Sequence, residues 1–154
     1  MDDYEEDNPN YGRESTGKIT ARLKAKDMGI EDLAYPVHDG APPVPNNITY
    51  IKPIVITAHC HAPSCIRQEL WNADTNEILC NITARYGENT SVFNERDTLA
   101  MSPCLFGYEI GLHPPYELNP ETNILAVKYF NNTFRHFGQM AQWTGLVAYD
   151  TDPY

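Results

Sequence analysis

The chain has 154 residues, long enough for one domain with a substantial core. Its formal net charge is −10, and its 11 Lys and Arg form no basic stripe along the sequence. That argues against nucleic acid and anionic membrane surfaces as partners. Twelve Pro, nine Gly and ten Tyr suit a loop-rich β protein better than a helix bundle. No apolar run approaches the roughly 20 residues that a membrane span needs.

Residues 1–16 are polar and acidic and read as an extended tail without a hydrophobic signal stretch. Residues 18–26 differ. Ile19, Ala21, Leu23 and Ala25 alternate with Lys18, Thr20, Arg22, Lys24 and Lys26, which predicts a strand with one apolar and one basic face. Weak helical periodicity follows at 28–33. Pro36, Gly40, Pro42, Pro43 and Pro45 make 35–46 an extended linker. The chain thus divides into an N-terminal arm, 1–46, and a body, 47–154.

In the body, 50–61 is an apolar strand interrupted early by Pro53. Residues 65–71 and 77–85 form a hairpin across Asn72-Ala73-Asp74-Thr75-Asn76. Residues 98–106 predict one strand around Cys104. A proline-rich loop at 112–120 precedes two final strands, 122–130 and 139–149, joined by a turn at 131–138. Short strands at this spacing point to an all-β fold, an antiparallel sandwich or jelly roll.

Two features oppose a cytoplasmic reading. The cysteines, Cys60, Cys65, Cys80 and Cys104, are even in number, and N-x-Ser/Thr sequons begin at Asn47, Asn81, Asn89 and Asn131. Together they predict a secreted or cell-surface glycoprotein with two disulfides. Sequence allows three pairings. The hairpin favours Cys65–Cys80, leaving Cys60–Cys104.

The chemistry concentrates in His59-Cys60-His61. On a strand the two imidazoles share a face and Cys60 faces the other way. Two imidazoles are half a metal site, and Met140 would add a thioether that favours Cu(I). His136 is a further candidate, whereas nothing places His38 or His113 at the site. The plain alternative is a solvated His-x-His with Met140 in the core. Carboxylate pairs such as Glu5-Glu6 and Glu31-Asp32 read as solvated. Tyr108, Tyr116 and Trp143 read as sandwich residues before they read as a carbohydrate surface.

From Ile54 to Asp150 the order "VITAHCHAPSC", "LWNADTNEILC", "TNILAVKYFNNTF", "RHFGQMAQWTGLVAY" resembles the second, methionine-site domain of copper type II ascorbate-dependent monooxygenases. These are the peptidylglycine α-hydroxylating and dopamine β-hydroxylating enzymes. The resemblance implies a β-sandwich with copper on His59, His61 and Met140. The chain departs from the family pattern at Ala62-Pro63-Ser64-Cys65, where the family has Leu-Gly, and around Met140, which lacks the Glu-Met-Cys context. The family's enzymes also need a second copper on a three-histidine companion domain, for which this chain has no room. The expectation is therefore a structural or interaction module. Residues 18–26 suit strand addition to a sheet edge, on the chain's own body or on a neighbour in a homo-oligomer or filament. The competing class is a copper redox enzyme acting with a second domain or partner.

Overall fold

Side-chain alternation builds a two-layer molecule. The computed structural model describes residues 16–29, 47–88, 99–132 and 140–151. In chain order the elements are β1 (Thr16–Lys24), a 3-10 turn (Ala25–Gly29), β2 (Ile48–His59), β3 (Cys65–Asn72), β4 (Glu77–Tyr86), β5 (Leu99–Met101), β6 (Cys104–Leu105), β7 (Asn123–Asn131) and β8 (Gln142–Thr151). The large sheet has the order β1-β7-β3-β4-β5 and the small sheet β6-β2-β8. Every ladder is antiparallel. The two sheets enclose Ile51, Ile56, Leu70, Leu79, Ile82 and Ile124, all buried, so the chain is an all-β sandwich.

β1 pairs with β7 over its whole length, from Thr16 opposite Asn131 to Lys24 opposite Asn123. On the predicted apolar face Ile19 and Leu23 are half-buried and Ala21 is exposed. The strand ends two residues early because Ala25, fully buried, donates its N–H to the Thr122 carbonyl and begins the 3-10 turn. The Asp27 carboxylate accepts the Lys24 N–H and holds that turn. The rest of the expected helical stretch, 30–33, lies outside the described residues.

The hairpin forms as expected. The Asn72 side-chain oxygen accepts the N–H groups of Asp74 and Thr75, and Asn76 takes a φ of 58°. Asn tolerates that left-handed conformation better than most side chains. Asp74 in turn accepts both the backbone N–H and the side-chain amide of Asn123, tying the turn to the start of β7.

Two expectations are corrected. The single strand at 98–106 is two strands in different sheets, with β5 on β4 and β6 on β2. The break falls at Ser102-Pro103, where proline offers no N–H to a ladder. The disulfides are Cys60–Cys65 and Cys80–Cys104, not Cys65–Cys80 and Cys60–Cys104. Hairpin register is the reason. Leu70, not Cys65, stands opposite Cys80, and five residues of strand separate those levels by about 17 Å. Cys60 and Cys65 instead flank the short turn between the sheets, with Cα atoms 6.1 Å apart. Both bonds join one sheet to the other.

Candidate metal corner and its supports

The His-x-His segment closes β2 at one corner of the sandwich. Cys60 is buried and disulfide-bonded, whereas His59 and His61 are exposed on the outer side. Their ring centroids lie 5.2 Å apart, nearly at right angles. That places the two imidazoles on one side of the chain, as the strand period requires.

Met140 is 39% exposed and precedes β8. Gln142 pairs with His59, so antiparallel register sets residue 140 level with His61. His136 and His38 lie outside the described residues. His113 is elsewhere: its ring packs on Phe106 at 5.5 Å, beside the middle of β2. Among the described residues no group of three His, Cys, Asp or Glu comes together.

Two buried polar side chains hold the corner from below. Gln68 and Lys128 are directly opposed on β3 and β7 and face the core, with exposures of 0% and 1%. The Gln68 side-chain amide donates to the His59 carbonyl at 2.8 Å, and the Lys128 ammonium to the Met140 carbonyl at 2.7 Å. The large sheet thereby reaches across and fixes the backbone of two candidate ligands. Burial pushes the Lys128 amine down to about 8, because a charge is costly away from water. Neither residue was visible as functional in the sequence, where both occupy ordinary strand positions. A Lys on the inward face of an apolar strand was the available signal.

The other sequence candidates scatter. Trp143 and Tyr116 pack against the core, and Tyr108 is exposed. Asn81 and Thr83 of one sequon are both exposed on the outer face of β4. Asn47 and Asn131 are half-buried, and the Asn131 N–H donates to the Ser64 carbonyl. Asn89 and the carboxylate pairs at 5–6 and 31–32 lie outside the described residues.

The large sheet's outer face carries a second cluster. Glu69, buried, accepts the Arg67 Nε–H at 2.7 Å and the Trp71 indole N–H at 3.0 Å. The Arg67 guanidinium lies 3.7 Å from the Tyr129 ring centroid, and Lys18 approaches the same ring at 5.8 Å. Glu69 holds Arg67 firmly protonated. Compared with protein-family models, with curated proteins and with solved structures, the chain matches none of them. Among the described residues no helix is long and apolar enough to cross a membrane.

Proposed function

We propose that this chain is a secreted or cell-surface module with a structural or interaction role, joined to its neighbours through the N-terminal arm. The observation that carries this reading is β1. It is hydrogen-bonded to β7 along nine residues, and its contacts are chiefly with β7 and its own following turn. A proline-containing stretch, 30–46, separates it from β2. A strand held this way makes the same contacts whether its own chain or a neighbour's supplies it, which is the condition for strand exchange. Two disulfides and four sequons support an oxidising, glycosylating compartment. Deleting residues 1–46 is expected to leave a disulfide-bonded body that no longer assembles. Sedimentation velocity on the native and truncated proteins decides this, and unchanged sedimentation removes the arm as the connector.

The paired, outward-facing imidazoles favour a second element of the reading, a copper-type site at His59, His61 and Met140. Copper there would have two imidazoles and one soft thioether, a donor set suited to Cu(I). Met140→Ala is expected to weaken Cu(I) binding more than Cu(II) binding. Equal loss for both oxidation states in competition titrations removes Met140 from the ligand set. Redox catalysis would further require a second centre from a partner domain, so the enzyme reading predicts oxidase or monooxygenase activity only in the complete assembly.

A further inference from the structure

Cations that are scattered in the sequence converge on the outer face of the large sheet. Strand alternation and register set Lys18, Tyr129, Arg67 and Thr83 in one row across β1, β7, β3 and β4. The next row is Thr20, Val127, Glu69 and Asn81. Arg22, Leu125, Trp71 and Ile78 form the third, and Arg85 continues the face on β4. Glu69 is the single carboxylate among the described strand residues of this face, and Arg67 and Trp71 already occupy its two oxygens. On a chain of net charge −10 this face is a positive island with two aromatic rings, Trp71 and Tyr129.

The complement lies in the same sequence. Residues 1–14 contain Asp2, Asp3, Glu5, Glu6, Asp7 and Glu14 against a lone Arg13, with Tyr4 and Tyr11 between them. We propose that the outer face of the large sheet is the docking surface for this acidic segment of a second copy of the chain. The proposal rests on the assembly reading, because the segment is continuous with β1 and arrives with whichever copy donates that strand. Fourteen extended residues reach about 45 Å, ample for a face that is about 15 Å across its four paired strands. Carboxylates meet Lys18, Arg22, Arg67 and Arg85, and tyrosine rings can stack on the guanidinium and indole planes. The acidic remainder of the surface repels the same segment, so complementarity directs it to this face.

The test uses the full chain in sedimentation velocity at low and high salt. Neutralising the segment (Asp2→Asn, Asp3→Asn, Glu5→Gln, Glu6→Gln, Asp7→Asn) is expected to weaken association at least tenfold. Reversing the face (Lys18→Glu, Arg22→Glu, Arg85→Glu) should do the same. A chain carrying the reversed face together with Lys at those five acidic positions should recover association, which a purely structural defect would not. If the neutralised chain assembles like the unaltered one while deletion of 1–46 abolishes assembly, the arm reading stands and this proposal fails. If a sulfated oligosaccharide binds the face equally well with and without the acidic charges, the surface serves a polyanionic glycan and the proposal is likewise overturned.

Discussion

The two long sides of this sandwich are held by different forces. On the β4–β6 side, Cys80–Cys104 bonds the sheets covalently. At the neighbouring corner Cys60–Cys65 closes the inter-sheet turn, and the Tyr86 hydroxyl donates to the Cys65 carbonyl at 2.7 Å. On the β1–β8 side there is no covalent tie. β1 and β8 are both terminal strands of their sheets, Ile19 and Leu23 are only half-buried, and Leu146 is 64% exposed. A groove lined by Leu23, Met28, Trp143 and Val147 runs between the sheets there. The covalent ties lie away from β1, so under the proposed assembly a locked body would keep its β7 edge while β1 leaves or is replaced.

The contrast can be broken at either side. Removing the lock with Cys80→Ala and Cys104→Ala opens a loop whose ends lie 24 residues apart, at a cost of about 3 kcal/mol. The separate loss of Cys60–Cys65, with a separation of 5, should cost less, about 2 kcal/mol, on the same entropic scale. Chemical denaturation of both variants checks the order. On the open side, Gly17→Val would drive a side chain into the Phe130 ring. It should cost about 2 kcal/mol and release β1 while the disulfide-bonded body stays folded. Hydrogen exchange should then show loss of protection confined to β1 and β7.

Lys128 sharpens the comparison from within the core. Its folded pKa, about 8, lies below the ordinary 10.5, so between these values the unfolded chain binds more protons. Stability should therefore rise as pH increases from 8 to 10.5 and be flat with respect to this group below 8. The rise is on the order of 3 kcal/mol, and Lys128→Met should abolish the slope in pH-dependent melting. The smallest effect belongs to the exposed Lys26–Glu121 pair, 2.6 Å long. Lys26→Ala should leave the melting temperature unchanged at physiological salt, because exposed ion pairs are screened.

Most local patterns were legible within a single strand, although the break that Pro103 makes in 98–106 was not. Period-two alternation gave the β1 strand and the opposed directions of Cys60 and the two histidines, and the turn residues at 72–76 gave the hairpin. What needed a partner strand was not legible. Cysteine pairing depends on Leu70 standing opposite Cys80, a register that no local signal specifies. Gln68 and Lys128 gain their role only when β3 and β7 align and the small sheet offers two carbonyls. The basic face exists only because β1, β3 and β4 bring Lys18, Arg67 and Arg85 from distant parts of the chain.

Gly17 has a consequence beyond stability. The flat ring of Phe130 accepts a residue without a side chain and refuses any other. Shifting β1 by one position would present Lys18 or Thr16 to that ring, and shifting it by two would present Ile19. The edge of β7 therefore works as an indexed slot. Under the proposed assembly, whichever chain filled it would stop at the same notch, so every joint made through this strand would share one phase.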